Sequence, residues 1–242
     1  MRLWIDTDVG DNPDDAVALV CAAAHPAVEL VGVSTTGGRT EWRAALARRL
    51  VDAEVVPGEQ PDALAATFAA ARPEALLAIG PLTNLAALVV LEVTLPPLTV
   101  MGGVLEAVRH RGRLRHVEWN FGSDPAASSL VVANADLTLV PLEVTVAMRL
   151  EPEVLAKLVA CERRLEPEVA RWSAEHDDPV VLHDPLALLV AAGEPFVTTE
   201  SQRLVVDAHD GSVRVSDQGR EQTVVVGVDA PAAVDRVLGL LG

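Results

Sequence analysis

The chain has 242 residues, half of them hydrophobic, and carries 35 acidic against 19 basic side chains, for a formal charge of −16. That length and apolar content suffice for one sizeable core, and residues 1–242 are expected to form a single domain. The negative balance repels phosphate backbones and anionic lipid surfaces, which argues against nucleic acid or a membrane as partner.

A strand is expected at residues 3–6, and it runs directly into Asp6-Thr7-Asp8-Val9-Gly10-Asp11-Asn12-Pro13-Asp14-Asp15, five carboxylates within ten residues. The spacing then predicts a helix over 14–24, with Asn12 as N-cap and Pro13 at the first position. Asp14 and Asp15 would be stabilised there by free N–H groups and the helix dipole. That explanation does not extend to Asp6 and Asp8, which alternate at the end of an apolar strand, where an unpaired charge is costly. Two carboxylates about 4 Å apart repel by roughly 4 kcal/mol at an effective dielectric near 20, so such a cluster asks for protons or a cation. All-oxygen donors favour Ca²⁺ or Mg²⁺ over zinc.

Further strands are expected at 28–34, 75–79, 98–101 and 137–140, separated by helical patterns at 41–53, 61–71 and 84–91. This alternation predicts an α/β fold, an open, mostly parallel Rossmann-like sheet covered by helices, with ligands beyond the carboxyl ends of its strands. Three loops would reach that rim. Ile79-Gly80-Pro81-Leu82-Thr83-Asn84 offers carbonyls and the Asn84 amide, and Met101-Gly102-Gly103 permits close backbone approach. In Glu118-Trp119-Asn120, a carboxylate and an amide two residues apart suit a pair of neighbouring hydroxyls, while Asp124-Pro125 reads as the cap of the next helix.

Helices follow at 152–159, 166–175 and 184–192, the last entered through His183-Asp184-Pro185. Residues 196–208, 212–216 and 223–228 read as a small antiparallel C-terminal excursion with a turn at Asp210-Gly211, closed by a helix over 231–241. Cys21 and Cys161 lack metal-ligand spacing and are expected as reduced thiols. The acidic motif begins at once after Met1 and no apolar run approaches spanning length, so a cytoplasmic protein is expected.

Taken in order, Asp6-Thr-Asp8-Val-Gly10 with Asp14-Asp15-Ala, Gly80-Pro-Leu-Thr-Asn84-Leu-Ala, Met101-Gly-Gly103, Glu118-Trp-Asn120 with Asp124-Pro-Ala-Ala, and His183-Asp184-Pro-Leu-Ala resemble the inosine-uridine nucleoside hydrolases. The resemblance implies the nucleoside hydrolase fold, a homo-oligomer (dimer or tetramer) and a Ca²⁺-dependent N-ribohydrolase acting on a small ribosyl substrate. In that scheme water held on the metal attacks the anomeric carbon. It further implies that Asp8 is both metal ligand and general base. Asp15, Asp184 and the Thr83 carbonyl would complete the metal's ligands. Asp14, Glu118 and Asn120 would hold the ribose hydroxyls, Met101 would pack nearby, and His183 would assist departure of the base. Asp6 would support this shell from behind.

The chain departs from the family pattern in several places. Three residues rather than one separate Gly10 from the paired aspartates, and Arg39 stands where the family has an Asn that reaches the ribose. A guanidinium there would pair with the acidic cluster or recognise a phosphate, so Arg39 is taken as substrate-binding. The stretch from Gly38 to Gly80 is about half of what the family has, and no Asn accompanies the basic segment Arg109-His110-Arg111-Gly112-Arg113. With no tyrosine in the chain, stacking on a leaving base falls to Trp42, Trp119, Phe121 or Trp172, with core roles expected for Trp42 and Trp172. Two alternatives remain: a non-catalytic homologue that binds metal and a ribosyl ligand, and a phosphatase of the HAD type using Asp6-Thr-Asp8, in which the later motifs have no place.

Overall fold

The computed structural model describes residues 1–242. In chain order the elements are β1 (Arg2–Thr7), α1 (Pro13–Ala24), β2 (Glu29–Thr35), α2 (Thr40–Leu50), β3 (Val55–Pro57), α3 (Pro61–Ala71), β4 (Ala75–Ala78), α4 (Thr83–Val90), β5 (Leu98–Met101), β6 (Val108–His110), β7 (Arg113–Arg115), α5 (Trp119–Ser123), α6 (Pro125–Asn134) and β8 (Leu137–Val140). They continue with α7 (Leu142–Thr145), α8 (Pro152–Cys161), a 3₁₀ turn (Arg163–Leu165), α9 (Glu166–Glu175), α10 (His183–Ala191), β9 (Val197–Val206), β10 (Val213–Val215), β11 (Arg220–Val228) and α11 (Ala230–Leu241). No helix is long and apolar enough to cross a membrane.

Nine strands form one sheet in the order β10-β9-β11-β8-β5-β4-β1-β2-β3, parallel from β11 through β3. The chain winds outward from β1 through β2 to β3, then returns to β4 on the other side of β1 and winds outward again. This reversal between β1 and β4 is the topological switch point, where the loops following neighbouring strands diverge and leave a crevice. Alternation along β1 divides the core. Leu3 and Ile5 belong to a core cluster shared with α1, α10 and α11, whereas Trp4 meets Phe68 of α3 edge to face at 5.3 Å in a second cluster that includes Leu85 of α4 and Val131 of α6. Helices on both faces explain why the strands are apolar on both sides.

The expected α/β architecture is present, with three local differences. A short strand, β3, adds the far edge beside β2; three residues give too little alternation to be read from sequence. The antiparallel excursion is not an appendage, because β11 runs parallel to β8 and carries β9 and β10 as the sheet's other edge. The basic segment Arg109–Arg113 belongs to a hairpin rather than a loop. Its turn, Arg111-Gly112, has φ of 49° and 69°, the left-handed pair a two-residue hairpin turn requires. An Arg at the first turn position hides the usual Asn-Gly signal.

Candidate active site

A cavity of about 610 Å³ opens at the carboxyl ends of β1, β4 and β5. It is lined by Asp8, Asp14 and Asp15 after β1, Ile79 after β4, Met101 at the end of β5, Glu118 and Asn120 around the start of α5, and His183 and Asp184 at the start of α10. Residues from five separate segments therefore converge on the switch point.

α1 begins as expected, with Asn12 in extended conformation before Pro13, which puts Asp14 and Asp15 in the first turn. Carboxylate oxygens of Asp14, Asp15 and Asp184 all lie within 4.8 Å of one another, and all three residues are buried. Asp8 lines the same cavity. The Asp15 carboxylate accepts from Thr7 Oγ1 at 2.5 Å, while Asp14 Oδ1 is buried without a partner. Burial followed by mutual repulsion drives Asp15 and Asp184 well above the ordinary carboxylate range. Burial raises Asp14 to about 6 against the pull of Arg111. Burial likewise lifts Asp8 to about 7, opposed by Arg43 and reinforced by Asp14 and Asp11.

Asp6 is fully buried behind this cluster, its carboxylate accepting from Ser34 Oγ and from Asn84 Nδ2 at 2.8 Å. It supports the β1 terminus from the sheet interior and does not line the cavity. Asn84 accordingly points inward rather than to the rim, also donating to Thr35 O at 3.0 Å. Thr83 is likewise not on the cavity wall. Its hydroxyl donates to Asp124 Oδ2 at 2.6 Å, tying α4 to the cap of α6. Ile79, which follows β4, lines the cavity instead, and its main-chain oxygen accepts no hydrogen bond from the chain.

Of the two roles expected for Arg39, the structure shows the pairing with the acidic segment and not a place on the cavity wall. The Arg39 side chain is mostly exposed and meets Asp11 at 2.5 Å. The guanidinium that organises the acidic turn belongs to Arg43, one helical turn further along α2 and only 2% exposed. It donates to the Asp8 carbonyl, to Val9 O at 3.1 Å, to Gly38 O at 2.9 Å and to Gly37 O at 3.2 Å, and meets Asp11 at 2.7 Å. The loops after β1 and β2 are thus clamped together by one buried cation. Arg43 lies on the stripe that includes Ala44, Ala47 and Leu50, and an arginine on a buried stripe was the signal available in the sequence. From the other side Arg171 donates to Gly10 O and pairs with Glu168 at 2.5 Å.

Glu118 caps α5 with both oxygens, accepting from Asn120 N at 2.8 Å and from Phe121 N and Gly103 N at 3.2 Å. Burial nevertheless raises it to about 7, against the pull of these amides. Asn120 Nδ2 donates to Met101 O at 3.1 Å, which fixes the amide and leaves its oxygen free. His183 Nδ1 is 2.7 Å from Thr145 Oγ1, and its ring meets His110 edge to face at 5.0 Å. Burial, with His110 and Arg111 nearby, holds His183 well below the usual histidine range, so its imidazole is neutral at physiological pH. Among the four aromatic candidates, Trp119 and Trp172 line the cavity. Trp119 is 73% exposed, Trp172 is buried and stacks on His176 at 3.7 Å, Phe121 is buried, and Trp42 covers Gly10 from outside.

This fold is the one found in solved nucleoside hydrolases. A plant nucleoside hydrolase superposes with a TM-score of 0.82 at 19% identity, covering 99% of this chain and 98% of that one, and an inosine-uridine preferring nucleoside hydrolase from Bacillus anthracis with 0.79 at 20%, covering 99% and 98%. The profile of the inosine-uridine preferring nucleoside hydrolases matches residues 47–235, and the chain belongs to this family. It is 30% identical to the non-specific ribonucleoside hydrolase RihC of Salmonella enteritidis over 67% of this chain and 68% of that protein. It is 24% identical to uridine nucleosidase 1 of Arabidopsis thaliana over 90% and 79%. The chain is an enzyme of the nucleoside hydrolase class. The acidic segment 6–15 precedes the matched range, and tertiary structure joins it to the motifs within.

Proposed function

We propose that the chain hydrolyses the N-glycosidic bond of ribonucleosides or of a closely related N-ribosyl compound, with a divalent cation of the Ca²⁺ type and Asp8 as general base. The observation that carries this reading is the convergence of three buried carboxylates within 4.8 Å beside Asp8 at the switch point of the sheet. The donor set fits a hard cation: carboxylates only, one oxygen of Asp14 buried without a partner, and the free carbonyl of Ile79 on the same wall. Asp8, Asp15 and Asp184, with the Ile79 carbonyl in place of that of Thr83, would hold it, and Asp14, expected on the ribose hydroxyls, stands close enough to Asp15 and Asp184 to serve as a further ligand. A bound cation would supply charge neutralisation and would lower the pKa of a coordinated water.

The remaining chemistry belongs to the chain. As general base, Asp8 takes the proton of the attacking water from its place on the cavity wall beside the other three carboxylates. Cleavage of the glycosidic bond leaves positive charge on the sugar, and the carboxylate cluster stabilises that charge as it appears. Glu118 Oε2 gives both its lone pairs to Phe121 N and Gly103 N, whereas Oε1 keeps one beyond that given to Asn120 N, and with the Asn120 oxygen it accepts from neighbouring sugar hydroxyls. His183, being neutral, orients the leaving base by hydrogen bonding rather than by supplying a proton.

The test is release of free ribose from a panel of purine and pyrimidine ribonucleosides, with Ca²⁺ and with a chelator, by the parent and by Asp8→Asn. Metal-dependent release that the variant lacks, in a protein with unchanged circular dichroism, supports the assignment. Near-parental turnover by Asp8→Asn removes the base role. A parent that binds Ca²⁺ and ribosyl ligands without turnover supports the non-catalytic reading, favoured by the engagement of both Glu118 oxygens with main-chain amides.

A further inference from the structure

The β6–β7 hairpin brings two guanidinium groups, Arg111 and Arg115, to the wall of the cavity that holds the carboxylate cluster. Their situation differs from that of the other arginines around the cleft. Arg39, Arg43 and Arg171 each meet a carboxylate at 2.5 to 2.7 Å. Neither Arg111 nor Arg115 has a carboxylate oxygen within 4.0 Å, in a chain where acidic side chains outnumber basic ones by 35 to 19. Asp14 and Asp178 attract Arg111 only at longer range, so both guanidiniums keep their N–H edges free of direct carboxylate contacts.

Arg111 occupies the tip of the hairpin, its guanidinium carbon 4.3 Å from the centre of the Trp172 ring, and its Nε is buried with no hydrogen-bond partner. Stacking uses the flat face of a guanidinium and leaves its N–H edge for an acceptor. Arg115 lies near enough that the two cations repel one another. Burial, then these two charges, hold the adjacent His110 down to about 4, so the arm carries its charge on the guanidiniums. Such an arm also offsets, at short range, the repulsion that the chain's net charge exerts on an incoming anion.

We propose that Arg111 and Arg115 recognise an anionic substituent, phosphate or carboxylate, on the ribosyl compound that enters the cleft, so that the preferred substrates are anionic N-ribosyl compounds rather than neutral nucleosides. This rests on the N-ribosyl reading given above. Phosphate and carboxylate both present paired oxygens that a guanidinium fork meets with two parallel bonds.

The test is calorimetric binding to the full chain in Ca²⁺ of ribose against ribose 5-phosphate, and of uracil against orotate, for the parent and for Arg111→Gln/Arg115→Gln. At least one anion is expected to bind about tenfold or more tightly than its neutral counterpart, an advantage that shrinks with salt and that the double variant loses. Preference for ribose 5-phosphate identifies a sugar phosphate, and preference for orotate identifies a carboxylate on the base. Should the double variant fail to fold, Arg115→Gln alone is expected to lose part of the same advantage. Equal binding of anion and neutral partner, or an advantage that survives the substitutions, overturns the proposal. Because the readout is binding, a chain that hydrolyses uridine without preferring either anion refutes this inference alone. A chain that prefers an anion but releases neither ribose nor ribose 5-phosphate from any N-ribosyl substrate, neutral or anionic, refutes the hydrolytic reading alone.

Discussion

Arg43→Met is the substitution whose consequences follow most directly from the structure. It keeps the length of the side chain on the buried stripe of α2 but removes every donor that clamps the loops after β1 and β2. The carbonyls of Asp8 and Val9 belong to buried residues, and leaving each without its donor costs about 1–3 kcal/mol. The ion pair with Asp11 adds less than about 1 kcal/mol, since the Asp11 side chain is 54% exposed. A loss of about 2–7 kcal/mol is therefore expected, and at roughly 2–4 °C per kcal/mol for a chain of this size it lowers Tm by about 4–28 °C. Calorimetry or a urea titration measures it. Arg43 also opposes the upward pull of burial on the Asp8 carboxyl, so its loss should move the titration of Asp8 in chelated protein to higher pH, as NMR of the carboxyl carbon would show. A variant whose Tm falls by less than about 2 °C would show that the clamp is not what holds the acidic turn.

Other expectations follow from the same geometry. Asp8, Asp14, Asp15, Glu118 and Asp184 all have pKa values raised above those of the unfolded chain, so the metal-free fold binds more protons than the unfolded state and loses stability as pH rises. For Asp8 the loss develops between about pH 4 and 7 and amounts to roughly 4 kcal/mol. Chelated protein should melt at a lower temperature at pH 8 than at pH 5, with Ca²⁺ removing most of the difference; a flat profile in chelator contradicts the assignment of these shifts. Gly80→Ala places a Cβ 2.8 Å from Asp8 N and 3.1 Å from Asp8 Oδ1, so kcat should fall by at least about tenfold through displacement of the base. Full activity in that variant would show that the β1 and β4 loops separate easily. Trp119→Ala removes an exposed ring on the cavity rim, so KM should rise severalfold for substrates with large bases while Tm stays within about 2 °C.

Much of the site is legible along the chain because its parts sit where a strand or a helix ends. Asp8, Asp14, Asp15, Glu118, Asn120, His183 and Asp184 lie in local motifs, and the structure gathers all of them on one cavity wall. The alternation of short apolar runs with helical periods likewise carries the sheet and both its covering layers, since burial on two faces leaves a direct mark on composition. Asp6 differs only in depth. It shares the strand face of Asp8, and the Ser34 and Asn84 side chains that hold it come from β2 and α4.

Tertiary structure decided the rest. Which arginine serves the acidic turn depended on the rotation of α2 against β1, so Arg43 rather than Arg39 reaches carbonyls more than thirty positions away in the sequence. Which residue of the β4 loop borders the crevice depended on where α4 begins, because Thr83 is already helical while Ile79 lines the cavity. The hairpin that carries Arg111 over Trp172 rests on two residues with positive φ and on contacts to α9 more than fifty positions on, neither of which a periodic pattern records. Period and composition report which residues avoid water, whereas the pairing of one buried polar group with another is set by the packing of elements distant in sequence.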